Sequence, residues 1–186
     1  MVGRPLTVTE RLDRTVQGET ILSIQNLSHQ ETKGRKVLEN ISFHVKAGEV
    51  FGISGLMGSG RSELLRSILG IHPGVRTGEI IFEGRTTNWR SLSEAMKDRV
   101  TFVPEDRKKD GLFLEHAIDF NLTIATLDSD IHPTGILKLS VEKERVQKLI
   151  LKMGIKCSDP KNPVKVLSGG NQQKVLLGKV VALSPK

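Results

Sequence analysis

The sequence has little cysteine, few aromatic residues and no long apolar run. A single cysteine, Cys157, in 186 residues excludes an internal disulfide framework. Aromatic residues make up 4% of the chain, with no tyrosine and one tryptophan, which disfavours a stacking platform for single-stranded nucleic acid. No apolar run approaches the ~20 residues of a membrane helix, and the first five residues lead into no apolar signal segment. These absences predict a soluble, cytoplasmic protein.

The charge is strongly basic. Lysine and arginine number 28 against 21 acidic residues, which gives a net charge of +7 and a pI near 9.7. Such a balance suits a polyanionic partner, namely a nucleotide, a nucleic acid or an anionic membrane face, or else a solvated basic surface. Hydrophobic residues at 37% and charged residues at 26% exclude a low-complexity disordered chain.

Hydrophobic periodicity divides the chain into a strand-rich first half and a helix-rich second half. Residues 1–19 are polar, contain Pro5 and Gly18, and are predicted to be a linker. The pattern predicts strands at 20–26, 41–46, 50–53, 79–82 and 100–103, and helices at 61–69, 91–97, 117–127, 141–153 and 171–183. This order indicates an α/β or α+β domain with a helical lobe.

A glycine-rich loop lies between the strand predicted at 50–53 and the helix predicted at 61–69. Glycines let backbone N–H groups converge on phosphate oxygens, and the start of the following helix adds further donors. The loop fits the phosphate-binding pattern of glycine, four residues, glycine, lysine and serine, except that arginine replaces the lysine. A glycine turn that binds nothing is the alternative. The loop reads Gly55-Leu56-Met57-Gly58-Ser59-Gly60-Arg61-Ser62, followed by Glu63.

A second glycine motif opens the last predicted helix. Two consecutive glycines after a serine again expose N–H groups to an anion, and the serine hydroxyl adds a donor. The alternative is a glycine turn capped by the serine, with no ligand. The motif reads Leu167-Ser168-Gly169-Gly170-Asn171-Gln172.

Together, in this order, the two motifs resemble the nucleotide-binding domain of ABC-type ATPases. Residues 55–62 correspond to the Walker A loop and 167–172 to the signature motif. The resemblance implies a partial P-loop (RecA-like) α/β fold, with an antiparallel β lobe and P-loop core over about 20–112 and a helical signature subdomain over about 113–183. It also implies ATP and Mg²⁺ as cofactors, with Ser62 as a ligand of the magnesium ion.

The departures from the general pattern resemble the second cassette of tandem monosaccharide-importer ATPases of the ribose, galactose and xylose type. The arginine-containing loop matches that cassette, and so does the stretch 103–112, in which Glu105 takes the place of the Q-loop glutamine. Residues 1–19 would be the connector from a first cassette. The implied partners are that first cassette, a membrane permease and, indirectly, an extracytoplasmic sugar-binding protein, at the cytoplasmic face of the membrane, with no nucleic acid.

Members of this family continue beyond the signature helix into a Walker B strand and a switch histidine, whereas this sequence ends at Lys186. The sequence therefore predicts a cassette that is incomplete at its C-terminus and does not hydrolyse ATP alone, with no catalytic residue of its own. The acidic end of 122–128 precedes the signature and is assigned to the helical lobe. A further expectation is an exposed apolar edge at 50–53, which would favour aggregation.

The histidines and the single cysteine are expected to have structural roles. The five histidines lack metal-ligand spacing. His44 lies on the polar face of a predicted strand and should be exposed. His29 lies near the position where the family has an adenine-stacking aromatic residue. A base could stack weakly on His29, but the side chain is expected to face solvent. Cys157 is interpreted as a small buried hydrophobic residue.

Two other functions stay open from the sequence alone. One is a soluble ABC-type ATPase that acts on nucleic acid or the ribosome, and the other is a non-catalytic nucleotide-binding or regulatory module. The basic run Arg107-Lys108-Lys109 is assigned to a solvated loop, or, by the family resemblance, to the surface beside the membrane subunit.

Overall fold

The computed structural model describes residues 18–127 and 139–186, which fall into two compact units. Among the described residues, the first unit combines 18–68 with His72–Asn88, and the second combines Leu69–Ile71 with 89–127 and 139–186. Most of the linker predicted for residues 1–19 lies outside the described residues. None of the helices within 18–127 and 139–186 is long and apolar enough to cross a membrane.

The first unit is built on a four-stranded antiparallel sheet. Its strands are β1 (Thr20–Gln30), β2 (Lys36–Lys46), β3 (Val75–Phe82) and β4 (Arg85–Thr87), in the order β2-β1-β3-β4. The β1–β2 hairpin closes through a turn in which Gly34 adopts a φ of +86°, a conformation that glycine reaches without strain. The sheet confirms the predicted antiparallel lobe. Its first two strands are longer than the sequence pattern predicts.

An irregularity in β1 and β2 changes which side chains face the core. Asn26 and Asn40 both have a φ of +51°, which asparagine tolerates better than most residues. Their backbone N–H groups donate to the hydroxyls of Ser42 (2.8 Å) and Ser28 (2.9 Å). Ile24 is buried before the irregularity, and after it the buried positions are 27 and 29.

Helix α1 (Arg61–Ile68) follows the glycine loop and is anchored to the sheet. Its buried side chains are Leu64, Ser67 and Ile68. Arg76 of β3 donates from Nη1 to the carbonyl oxygens of Ser67 and Ile68, the latter at 2.8 Å. A cation at a helix C-terminus meets the negative end of the helix dipole, so Arg76 fixes the end of α1.

The second unit is helical. It contains α2 (Leu92–Lys97), α3 (Ile118–Thr123), α4 (Leu139–Met153) and α5 (Gly169–Val181), a π-helical turn at Arg107–Gly111, and 3₁₀ turns at Ile124–Thr126 and Val164–Val166. Ser91 caps α2, since its hydroxyl accepts from the Glu94 N–H at 3.2 Å. The helical core consists of Leu112, Ile118, Leu122, Val146, Leu149, Ile155, Val164, Val175 and Leu176.

Two of the predicted strands are wrong. Residues 50–53 and 100–103 form no regular strand. Val50 is 97% exposed, and Phe51 and Ile53 remain partly exposed. A buried parallel strand needs hydrogen-bonded neighbours, and within the described residues neither segment pairs with another strand. The apolar run at 50–53 therefore lies at the surface.

Candidate nucleotide-binding site

The glycine loop turns tightly before α1. Gly58 and Gly60 have φ angles of +83° and +88°, and the Ser59 N–H donates to the Leu56 carbonyl oxygen at 3.1 Å. The first helical bond runs from the Leu64 N–H to the Gly60 carbonyl oxygen at 2.7 Å. The N–H groups of Arg61 and of the two residues after it therefore lie in the first turn of α1. A helix provides no backbone acceptors for the N–H groups of its first turn.

The two outer glycines of the loop are needed for close packing. A Cβ atom on Gly55 would lie 2.4 Å from the Ser59 hydroxyl oxygen, and one on Gly60 would lie 3.2 Å from the Val37 carbonyl oxygen. In contrast, Leu56 and Met57 at the tip are 86% and 97% exposed. The loop is thus folded against itself at its base and open to solvent at its tip.

This arrangement is chemically suited to a phosphate chain. Backbone donors of the loop and of the α1 N-terminus favour an anion, and Arg61 adds an exposed positive charge. Ser62, in the first turn, is half-buried and carries the type of hydroxyl that binds magnesium beside a phosphate. Glu63 occupies the same turn. The residues present therefore fit ATP with Mg²⁺.

The signature motif lies at the start of α5 in the second unit. The 3₁₀ turn before it is held by two backbone bonds, from the Val164 N–H to the His116 carbonyl oxygen and from the Lys165 N–H to the Leu114 carbonyl oxygen, both at 3.0 Å. Helix α5 begins at Gly169, so both signature glycines form its first turn. Ser168, Gly169 and Gly170 are all exposed.

The serine of the signature does not cap the helix. The Ser168 side chain makes no bond to the first-turn N–H groups, and its hydroxyl instead accepts from the Asn171 amide at 3.1 Å. The Asn171 oxygen accepts from the Lys156 N–H at 2.9 Å. The serine cap of that alternative is therefore wrong, and the Ser168 side chain does not occupy the N-terminal donors of α5. Leu167 is half-buried beneath this turn.

Gln172, the last residue of the motif, faces inward. It is 6% exposed, and its amide nitrogen donates to the carbonyl oxygens of Leu167 (3.2 Å) and Val164 (3.4 Å). Its amide oxygen accepts from the Arg107 Nε–H at 3.3 Å. The Gln172 side chain thus links Arg107 to the backbone that precedes α5. The local sequence carries no signal for this contact with Arg107, because the two residues are 65 positions apart.

Glu105 is exposed and precedes the π-helical turn. Asp106 caps that turn, since its carboxylate accepts from the N–H groups of Lys108 (2.9 Å) and Lys109 (3.2 Å). Lys108 and Lys109 are exposed, as expected of a solvated loop, whereas Arg107 is half-buried. Glu105 and the signature belong to the second unit, and the glycine loop belongs to the first.

The expectation that His29 faces solvent is wrong. His29 is 3% exposed because the irregularity in β1 turns position 29 toward the core. Its Nε2 lies 3.2 Å from the Pro73 carbonyl oxygen, and its ring meets the His72 ring edge-on at 4.8 Å. Burial lowers the pKa of His29.

The sequence also predicts positions for His44 and Cys157. His44 is exposed, as predicted. Cys157 is half-buried rather than buried as expected; it packs against the helical core, and burial raises the pKa of its thiol. Within residues 18–127 and 139–186, no three histidine, cysteine or acidic side chains form a cluster that could hold a metal ion.

Comparisons with known proteins give the site its context. The model of the ABC transporter family matches residues 38–186, which include both glycine motifs. Similar curated proteins include the ribose import ATP-binding protein RbsA of Geobacillus kaustophilus (strain HTA426), 41% identical over 186 residues. Another is the xylose import ATP-binding protein XylG of Brucella abortus (strain 2308), 36% identical over 188 residues. These alignments cover 100% of this chain but only 36% and 37% of the two relatives.

Solved structures show the same fold. Among the similar ones is cbiO1 from Clostridium perfringens, part of the ABC transporter complex cbiONQ, with a TM-score of 0.69 at 23% identity; the match covers 90% of this chain and 63% of that one. A nucleotide-free ATP-binding cassette from an ABC transporter gives a TM-score of 0.68 at 24% identity, covering 90% and 66% of the two chains. The chain therefore belongs to the ABC transporter family, and its fold is that of an ATP-binding cassette.

Proposed function

We propose that this chain is part of the ATP-binding subunit of a monosaccharide importer and corresponds to the second cassette of a tandem ATPase. The observation that carries the proposal is the pair of positive-φ glycines at the N-terminus of α1, in a chain that aligns along its whole length with ribose and xylose import ATP-binding proteins. The loop is the proposed nucleotide site. The names of the relatives indicate that the transported substrate is a monosaccharide.

In this proposal the nucleotide phosphates bind to the N–H groups of the loop 55–60 and of the first turn of α1. Arg61 provides a fixed positive charge for the phosphates, in place of the lysine of most such loops. The Ser62 hydroxyl is a ligand of the magnesium ion. The ion, when bound, neutralises negative charge on the β- and γ-phosphates.

The signature acts on a nucleotide held by another cassette. Gly169 and Gly170 are exposed at the start of α5, and their N–H groups are not used by the Ser168 side chain. They would add donors to the γ-phosphate of ATP bound by the first cassette, in the same full-length chain or a dimer mate. The further partners are a membrane permease and, through it, a sugar-binding protein, with the ATPase peripheral at the cytoplasmic face.

Nucleotide binding by this chain is expected without turnover. The segment that follows the signature, residues 173–186, contains no aspartate or glutamate that could polarise a water molecule. The first expected result is therefore saturable, Mg²⁺-dependent binding of a fluorescent ATP analogue by the 186-residue chain, with no ATP-dependent phosphate release.

Two matched glycine variants test whether the loop is the binding site. Gly58 (φ +83°) and Gly84 (φ +74°) share the same backbone conformation, and a Cβ at either position meets no atom within 4 Å. Gly58→Ala and Gly84→Ala therefore impose comparable strain on the fold, but only Gly58 belongs to the loop. We expect the Kd for the analogue to rise about tenfold or more in Gly58→Ala and to stay unchanged in Gly84→Ala. Equal affinity in both variants would refute the assignment.

A further inference from the structure

The segment after Glu105 is built to hold one arginine in place. The Asp106 carboxylate caps the π-helical turn 107–111, and the Leu112 N–H closes it on the Arg107 carbonyl oxygen at 2.9 Å, five residues back. Such wide turns are rare and often lie at functional sites. Capping at one end and closure at the other fix the backbone from which the Arg107 side chain extends.

The π-helical turn is fastened to α5 at three successive helical turns. Arg107 donates to the Gln172 oxygen at 3.3 Å. Gly111 packs so closely on Leu176 that a Cβ on Gly111 would lie 3.0 Å from its Cδ1. The Lys179 ammonium donates to the Gly111 carbonyl oxygen at 3.1 Å. Positions 172, 176 and 179 share one face of a helix, so the turn and α5 are held along a single line.

The donors of Arg107 decide which way the Gln172 amide points. A guanidinium can only donate, so the oxygen of the Gln172 amide must face Arg107. The NH₂ group then faces the carbonyl oxygens of Leu167 and Val164, which can only accept. If the amide flipped, the NH₂ group would meet a donor and the oxygen would meet two acceptors. Arg107 therefore selects the orientation that braces the signature turn.

The same guanidinium lies against the first signature glycine. A Cβ on Gly169 would be 3.0 Å from an Arg107 terminal nitrogen. Arg107 thus contacts both ends of the first turn of α5, at Gly169 and at Gln172. The Gln172 N–H bonds to the Ser168 carbonyl oxygen at 2.9 Å, which is the first hydrogen bond of the helix.

We propose that Arg107 is a positioning residue for the signature motif: through the Gln172 amide it fixes the first turn of α5 so that the N–H groups of Gly169 and Gly170 are presented in one orientation. The role of the motif rests on the proposed function, whereas the contact itself is tested without nucleotide. Lys108 and Lys109, on the same turn, have no such contact with the motif in the described structure.

Nuclear magnetic resonance of the ¹⁵N-labelled 186-residue chain tests the proposal. The variant Arg107→Met keeps the aliphatic stem and removes the donors, and Lys109→Met is the control on the same turn. In Arg107→Met we expect the Gln172 side-chain NH₂ resonances to move toward free-amide positions, and the Gln172 backbone N–H to exchange about tenfold faster or more. Lys109→Met should match the wild type. Wild-type Gln172 signals in Arg107→Met would overturn the proposal.

A second variant guards against a general loss of folding. Gln172→Glu keeps an acceptor for Arg107 but places a carboxylate oxygen against the two carbonyl oxygens. We expect the N–H of residue 172 to exchange about tenfold faster than in the wild type at neutral pH. At acidic pH, where the protonated acid can donate again, its exchange rate should equal that of the wild type at the same pH. The same ratio of variant to wild-type exchange rates at both pH values would contradict the amide-orientation argument. Analogue binding at the glycine loop should be unchanged in Lys109→Met. Its absence from the wild type would refute the proposed function and leave the Arg107 contact standing.

Discussion

His29 is a titratable residue held in a nearly solvent-free position of the β sheet. The Pro73 carbonyl oxygen can only accept, so the proton of the neutral ring is on Nε2. His29 Nδ1 has no hydrogen-bond partner among the described residues. The ionisable groups around the ring are His72, Arg76 and Glu31. Burial is the largest influence and lowers the pKa of His29, and His72 and Arg76 also lower it. The Pro73 contact and Glu31 raise the pKa, but the net effect is a lower pKa, so folding favours the neutral ring.

The stability of the chain should therefore fall at mildly acidic pH. The unfolded chain binds a proton on His29 near pH 6.5, whereas the folded chain binds it only at lower pH. The free energy of unfolding therefore decreases as the pH falls from the pKa of the unfolded chain to that of the folded chain. We expect urea unfolding at pH 7.5 and 5.5 to show this loss in the wild type and a smaller loss in His29→Gln. The exposed His44→Gln variant should retain the wild-type difference. An identical pH dependence in His29→Gln would contradict the burial argument.

The sequence predicts residues whose role depends on local chain geometry and does not predict those whose role depends on distant contacts. The glycines at 58 and 60 and the start of α5 at the signature follow from short motifs, and the structure places them as turns and a helix N-terminus. Arg107 and His29 were missed for separate reasons. Arg107 meets Gln172 across 65 positions, and His29 is turned inward by an irregularity that ordinary strand alternation does not anticipate.

At the scale of elements, α3 and α5 pack closely because one helix carries a glycine at their contact. A Cβ on Gly178 of α5 would lie 2.7 Å from Leu122 Cδ2 of α3, and 3.5 Å from the Met153 side chain of α4. Leu122 is completely buried in the helical core, so its side chain has no free space to move into. Glycine has a low helix propensity, so it lowers the intrinsic stability of α5. Its lack of a side chain allows the two helices to approach at this position.

Gly178→Ala should be destabilising although alanine is the better helix former. Overpacking a core costs about 1–3 kcal/mol, and the gain in helix propensity returns about 1 kcal/mol. We expect a net loss of up to about 2 kcal/mol in urea unfolding. Leu122→Val removes the δ carbon that the new methyl meets, so the double variant should lose less than the sum of the single losses. Strict additivity would show that the methyl does not meet Leu122.

The helices were easier to predict than the strands for a physical reason. A helix such as α4 satisfies its backbone hydrogen bonds internally, so its amphipathic pattern is sufficient to locate it. A strand takes its bonds from neighbours, and the apolar pattern of 50–53 carries no information about whether such neighbours are present. The antiparallel strands β1 and β2 are joined by a short turn and supply each other with partners.

At the scale of the whole molecule, exposed apolar surface and net charge act in opposite directions. Val50, Leu56 and Met57 are each more than 85% exposed, while Phe51 is partly covered by stacking on Phe43 with ring centroids 4.9 Å apart. Exposed apolar segments with free backbone groups tend to pair with other chains. The net charge of +7 keeps copies of the chain apart at low ionic strength.

Self-association should therefore increase with salt. The screening length falls from about 10 Å at 0.1 M to about 3 Å at 1 M salt, which removes the repulsion and leaves the apolar attraction. Sedimentation velocity at these two salt concentrations should show larger species at the higher one. The variant Val50→Lys should suppress them, whereas Leu151→Lys, which adds the same charge at an 81% exposed leucine of α4, should not. Suppression by both variants would mean that added charge alone is responsible, and suppression by the first alone would assign the association to the segment 50–53.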